Sequence, residues 1–165
     1  MIVQGDKEKS VRQLRYYLDT SVWNFLLEED RPEHRSATER FFQQIGTLGA
    51  IAISDVVLRE IARAPGIRRV AINGLIQRYE PVVLQVTSEV QELAEQYISQ
   101  QLIPLKYRDD ALHIATAVVH EMDVIVSWNF EHMVKLKTRM GINGINRLLG
   151  YREIEIVSPE EVSES

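Results

Sequence analysis

The sequence predicts an α/β fold, a three-layer α/β/α arrangement around a central parallel β-sheet. Two observations carry this expectation. Short segments, apolar on both faces, alternate along the chain with longer stretches of helical period. Strands covered on both sides by crossover helices have that signature. In addition, the stretch from Ala111 to Glu121 is apolar nearly all round, as a helix buried inside a domain is.

Taken in order, Arg15-Tyr16-Tyr17-Leu18 is the first β-prone run, and it ends at Asp19. A helix is expected from near Val22, broken by the charged stretch from Glu28 to Glu33 with Pro32. A second helix, over about 32–45, puts Ala37, Phe41, Phe42 and Ile45 on one face. Gly46 to Gly49 reads as a turn. Ala50-Ile51-Ala52-Ile53 is long enough only for a buried strand. Ser54 caps the next helix, with Asp55 in its first turn, and Pro65 stops it. The following helix, over about 67–79, is weakened by Gly74. Pro81 introduces a strand, Val82-Val83-Leu84-Gln85-Val86, and a helix then runs from Thr87 to about Gln101, before Pro104. Arg108-Asp109-Asp110 opens the apolar helix. Val124-Ile125-Val126-Ser127 is the fourth strand. Trp128-Asn129-Phe130 leads to a helix that reaches about Met140, where Gly141, Asn143 and Gly144 are expected to interrupt it. A short helical piece over 146–149 precedes the last strand, Ile154-Glu155-Ile156-Val157.

A chain of 165 residues fits one domain, which the sequence sets at 14–158, after a leader over 1–13 and before a polar tail over 159–165. A domain of that size buries roughly 70% of its unfolded surface and needs no covalent staple. There are no cysteines, which excludes a disulfide framework, a thiolate metal site and a thiol nucleophile. The first twelve residues carry no apolar core of a secretory signal, and no apolar run approaches the ~18 residues of a membrane helix. A soluble, cytoplasmic protein with no membrane partner is expected. The net charge of −5 leaves two readings: no nucleic-acid partner, or carboxylates concentrated in one place with basic residues grouped elsewhere.

The carboxylates support the second. Asp19 follows the first strand directly, and Asn129 follows the fourth. Glu60 lies in the first two turns of the helix after the second strand, and Asp109 and Asp110 open the buried helix. Ligands of open α/β sheets bind outside the carboxyl ends of the strands. If the first and fourth strands are neighbours, these side chains converge. Converging carboxylates repel unless a cation lies between them, and an all-oxygen set suits Mg2+ or Mn2+. Such an ion can activate water and neutralise a phosphate, which is the logic of a nuclease.

Each residue also has a plainer reading. Asp19 alone reads as readily as a turn former or helix cap. Asp109 serves the helix dipole, and a Glu at the position of Glu60 usually faces water. His113 could orient a carboxylate one turn away, although on so apolar a helix it reads more simply as a satisfied core residue. His34 falls in a charged surface stretch, and no pair of histidines has zinc-ligand spacing. There is no Gly-rich phosphate loop, and neither Ser21 nor Ser127 stands in a nucleophile elbow. Arg59 with Arg63, Arg68 with Arg69, Lys106 with Arg108, and Lys135, Lys137 and Arg139 could form a phosphate-tracking rim or ordinary solvated faces.

Four segments resemble the PIN domain family. They are Tyr17-Leu18-Asp19-Thr20-Ser21-Val22, Ser54-Asp55-Val56-Val57-Leu58-Arg59-Glu60-Ile61, Arg108-Asp109-Asp110-Ala111-Leu112-His113-Ile114-Ala115-Thr116-Ala117 and Asp123-Val124-Ile125-Val126-Ser127-Trp128-Asn129-Phe130. Each is weak alone; four in order, spanning about 15–158, are specific. The resemblance is closest to VapC-like toxins. It implies Mg2+- or Mn2+-dependent hydrolysis of RNA, with Asp19 and Asp110 as metal ligands and Glu60 helping to hold the metal or acting through water. It also implies an antitoxin partner and a homodimer. The fourth acidic position of the family is Asn129 here. An amide can still ligate a hard cation but brings no charge. That departure carries a second reading, a PIN-like module that binds RNA or a protein partner without cutting.

Overall fold

The computed structural model describes residues 13–164. The expected leader lies, but for Gln13, outside the described residues. Five strands form one all-parallel sheet: β1 (Leu14–Leu18), β2 (Gly49–Ser54), β3 (Val82–Leu84), β4 (Val124–Val126) and β5 (Glu155–Val157), in the order β3-β2-β1-β4-β5. The helices among the described residues are α1 (Thr20–Phe25), α2 (Pro32–Leu48), α3 (Asp55–Ala62), α4 (Gly66–Tyr79), α5 (Ser88–Ser99), α6 (Arg108–Val119), α7 (Leu136–Leu148) and α8 (Pro159–Glu164).

Successive residues of β1 point to opposite faces, and both faces are buried. Tyr17 belongs to a core that it shares with Leu93 and Tyr97 of α5, Ala111 and Ile114 of α6, and Ile142 of α7. Tyr16 and Leu18 enter a second core with Trp23 of α1, Phe41 and Phe42 of α2, Ile72 of α4 and Val162 of α8. This double burial is why the strands lack polar alternation, and it gives the three layers expected.

The chain steps outward from β1 to β2 to β3, then returns to the other side of β1 with β4. Tyr16 pairs with Val124 and Leu18 with Val126, so the first and fourth strands are neighbours. Asp19 N–H extends the ladder to Val126 C=O at 3.3 Å. The reversal of strand order therefore lies between β1 and β4, and opens a crevice at their carboxyl ends.

Some boundaries differ from the expectation. The glycines do not interrupt α7, which runs unbroken to Leu148. Gly141 is where this helix meets Leu102, whose side chain a Cβ would strike, so close packing explains the missing side chain. The turn expected over Gly46 to Gly49 is instead the end of α2, followed at once by β2. β3 stops at Leu84, and the 3₁₀ turn Leu105–Tyr107 was not foreseen. Within the polar tail, Pro159–Glu164 form α8, and Val162 packs into the second core.

The β5 edge of the sheet is closed by side chains. Asn143 donates to Ile154 C=O (3.0 Å) and accepts from Ile154 N–H (2.8 Å), while Arg139 donates to Ile156 C=O (3.4 Å). No helix among the described residues is long and apolar enough to cross a membrane.

Candidate functional site

Asp19 stands where β1 ends and α1 begins, and is only 4% exposed. It is the N-cap of α1: Oδ1 accepts from Ser21 N–H (3.1 Å) and Ser21 Oγ–H (2.5 Å). Its other oxygen accepts from Ser127 Oγ–H (2.6 Å), at the end of β4. Cap and site candidate are thus one residue. Burial pushes its carboxyl above the ordinary range, against the pull of His113 and of the two serines.

Asp110 reaches the same crevice from the first turn of α6. It accepts from the Asn129 side-chain amide at 3.1 Å, and Asn129 Oδ1 in turn accepts from His132 N–H at 2.9 Å. Burial raises the Asp110 carboxyl, and the neighbouring charge of Asp19 raises it further; His113, Asn129 and His132 oppose them. The Asp110 carboxyl therefore senses the charge of Asp19.

Glu60 lies on α3, one turn from its end. Its Oε1 accepts from Thr20 Oγ–H (2.7 Å) and stands 2.6 Å from His113 Nε2. Burial alone would raise Glu60, but the hydrogen bond and charge of His113, with Thr20 and Arg59, outweigh it and hold the carboxyl below the usual range. Burial likewise disfavours a charged His113, yet Glu60, Asp19 and Asp110 outweigh it and raise the imidazole. His113 Nδ1 meets the Tyr17 hydroxyl (2.6 Å), which meets Ser54 Oγ (2.7 Å). Burial pushes the Tyr17 phenol far up, so it stays protonated.

These partners fix the proton pattern. Glu60 is a carboxylate, so His113 Nε2 donates to it. A neutral His113 accepts at Nδ1 from Tyr17, which accepts from Ser54. A charged one donates to Tyr17, which donates to Ser54. Either state keeps both nitrogens of His113 and the Tyr17 hydroxyl hydrogen-bonded.

The remaining candidates have other duties. Asp109 pairs with Arg59 (2.6 Å) and Arg63 (3.7 Å) at the rim of the crevice. Arg68 donates to Asn24 on α1, Arg108 pairs with Glu95, and Lys106 lies over the Tyr107 ring. The basic groups thus hold local partners as well as facing solvent. His34 is not a plain surface residue: it stacks on Trp128, with ring centroids 4.1 Å apart.

Among the described residues, no three His, Cys, Asp or Glu side chains stand together as a ready metal cage. The reason is local. Asp19 is turned to Ser21 and Ser127, Glu60 to His113 and Thr20, and Asp110 to Asn129. The donor chemistry nevertheless fits a hard divalent cation. Asp19 and Asp110 are carboxyls raised by desolvation, the charge of Asp19 raises Asp110 further, and the sequence has no cysteine thiolate to favour a softer ion.

The PIN domain model matches residues 16–131, which spans all four of these segments. The chain belongs to the PIN domain family. Its PIN fold is similar to that of VapC20 from Mycobacterium tuberculosis, described as a Sarcin-Ricin loop cleaving toxin. The two share 17% identity and a TM-score of 0.56, over 71% of this chain and 92% of that one. It is also similar to VapBC2 from Rickettsia felis, bound to a DNA fragment from their promoter (11% identity, TM-score 0.56, 88% and 98% covered). A third likeness is to VapBC-1 from nontypeable Haemophilus influenzae (16% identity, TM-score 0.55, 88% and 98% covered). At these identities the likeness is one of fold. No curated protein sequence matches this PIN domain chain significantly.

Proposed function

We propose that this PIN domain is a divalent-metal-dependent endoribonuclease that hydrolyses RNA phosphodiester bonds, the toxin of a type II toxin–antitoxin pair. The observation that carries the reading is the carboxyl edge of β1 and β4, where buried Asp19 lies near enough to half-buried Asp110 for its charge to raise that carboxyl, with Glu60 in the field of Asp19 and Asn129 bonded to Asp110. Asp19, Asp110 and Glu60 would hold Mg2+ or Mn2+. The ion supplies Lewis acidity and neutralises charge on the phosphate when bound. The chain's own residues do the rest. Ser21 and Ser127 fix the two oxygens of Asp19. The Asn129 amide orients Asp110. His113 keeps Glu60 ionised, so that it can orient a water or take its proton. The apolar walls of α6 and β4 exclude bulk water. An antitoxin partner, and a homodimer, are supported by the likeness to VapBC structures.

The test is cleavage of a labelled single-stranded RNA with Mn2+ or Mg2+, wild type beside Asp110→Asn from identical preparations. Cutting by the wild type alone supports the reading; equal cutting by both overturns it. One observation favours a second reading, a module that binds RNA or a protein partner without cutting. Asn129 engages Asp110 with a neutral amide where the family commonly has another acid. RNA binding with no cutting in either metal, by a protein that also fails to bind the metal, would select it.

A further inference from the structure

An aromatic ledge begins one residue from the candidate site. Trp128 is 6% exposed and locked: its indole N–H donates to Thr38 Oγ (2.8 Å), and its backbone N–H donates to Ser21 Oγ (2.9 Å), the same hydroxyl that binds Asp19. His34 lies parallel on it, and Phe25 packs against both rings (5.5 and 5.3 Å). Phe130 stands edge-on to Trp128 (5.9 Å) and His34 (6.5 Å), yet 49% of it faces solvent. A tight turn, Phe130 N–H to Trp128 C=O at 3.0 Å, fixes its direction. No ring among the described residues lies parallel on Phe130.

A half-exposed phenyl ring held by a rigid aromatic base offers a stacking platform. Asn129, which touches Asp110, and Phe130 are consecutive, with Cα atoms ~3.8 Å apart. A nucleoside flanking a phosphodiester held at Asp110 would lie within reach of Phe130. Every base offers a π-face, but a base inside a duplex has both faces occupied. We propose that Phe130, backed by Trp128 and His34, is a positioning residue that stacks the nucleobase next to the scissile phosphate. This rests on the nuclease reading for its register, but not for its measurement.

The test uses the full chain in chelator, where no metal-dependent cutting occurs. A 14-nucleotide single-stranded RNA carries 2-aminopurine at successive positions, and its fluorescence is followed on titration with wild type, Phe130→Ala and Phe130→Tyr. At one position or two neighbouring ones, wild type and Phe130→Tyr quench the probe and Phe130→Ala does not, with RNA affinity falling by about tenfold. A duplex of the same sequence binds wild type and Phe130→Ala alike. In metal, the loss in Phe130→Ala falls on KM rather than kcat. Unaltered quenching and affinity in Phe130→Ala overturn the proposal, and leave the ledge as a protein-docking patch. Quenching that needs Phe130, in a protein that never cuts, overturns the nuclease reading and keeps the ledge. Circular dichroism of each variant guards against misfolding.

Discussion

His113 and Glu60, fifty-three residues apart in the chain, meet at 2.6 Å between Nε2 and Oε1 across the gap from α6 to α3. The imidazole is 2% exposed and its other nitrogen is bonded to Tyr17. One histidine thus ties the central strand β1, through Tyr17, to the helix that carries a candidate acid. Truncation should be expensive. His113→Ala strips a partner from the Tyr17 hydroxyl and from Glu60, and is expected to cost roughly 2–4 kcal/mol. Urea denaturation of the two proteins at neutral pH measures it. A cost below ~1 kcal/mol would mean that water replaces the ring.

The same pair sets a pH dependence in metal-free protein. The His113 value is raised above its ordinary 6.5, so its contribution is fully present below 6.5 and is lost as pH rises through the raised value. The Glu60 value is lowered below its ordinary 4.5, so its contribution is present above 4.5 and is lost as pH falls through the lowered value. The pair therefore stabilises most between 4.5 and 6.5. Asp19 and Asp110 are raised, and their cost grows as pH climbs above their ordinary 3.8. Wild type should lose stability on the alkaline side of 6.5 more steeply than His113→Phe does. Parallel slopes in chelator would remove His113 as the cause.

Asp110→Asn and Asp19→Asn separate charge from architecture. Asp110 makes one hydrogen bond, to an amide that an asparagine oxygen can still satisfy, so removing its charge should leave Tm in chelator unchanged or higher. Asp19 caps α1 and accepts three hydrogen bonds. Replacing one oxygen by an NH2 group there should cost about 1–2 kcal/mol even though repulsion is relieved. Millimolar Mn2+ is expected to raise the Tm of the wild type and of neither variant. A metal-induced rise that survives Asp110→Asn would move the ion elsewhere.

Asn129→Asp puts an acid where the family commonly has one. A third carboxylate beside Asp110 loses the amide hydrogen bond and adds repulsion, so metal-free stability should fall by about 1 kcal/mol. Metal affinity should rise about tenfold or more, which calorimetric titration with Mn2+ reads. Unchanged affinity would show that residue 129 points away from the ion.

Much of this arrangement was legible in the sequence, and the physics explains the part that was not. Asp19 and Asp110 could be found because a strand end and a helix start are local features, marked by where apolar runs stop. The adjacency of β1 and β4 was not readable, since pairing across more than a hundred residues leaves no local trace. His113 was read as a core histidine or as a partner for the acids on its own helix; it is buried and satisfied, but its carboxylate is Glu60 on another element. Ser21 and Ser127 were weighed only as nucleophiles and dismissed, yet they hold Asp19. A hydroxyl two residues after a strand-end aspartate is the turn signal that could have pointed to Ser21. The glycines of α7 misled because one glycine costs a helix only about 1 kcal/mol, which tertiary packing overrides.

Those glycines yield the last prediction. Gly74 and Gly144 lie inside helices with open space where a Cβ would stand, and Gly141 faces Leu102. Gly74→Ala and Gly144→Ala should each stabilise by about 0.5–1 kcal/mol. Gly141→Ala gains the same propensity but must push Leu102 aside, so it should be neutral or destabilising. Thermal melts of the three variants decide it. A stabilised Gly141→Ala would mean that Leu102 has room to move.

The side chains of Asn143 and Arg139, reaching from α7 to the β5 edge, bear on the fate of the protein when it is crowded. A parallel sheet ends in a row of unsatisfied amides and carbonyls, a template on which a foreign strand can nucleate. Here Ile154 and Ile156 have already spent most of theirs on α7. A second molecule arriving at that border finds its docking positions taken, and would have to peel a helix away before it could zip on. Loss of Asn143 would free both backbone groups of Ile154 and reopen that part of the seam.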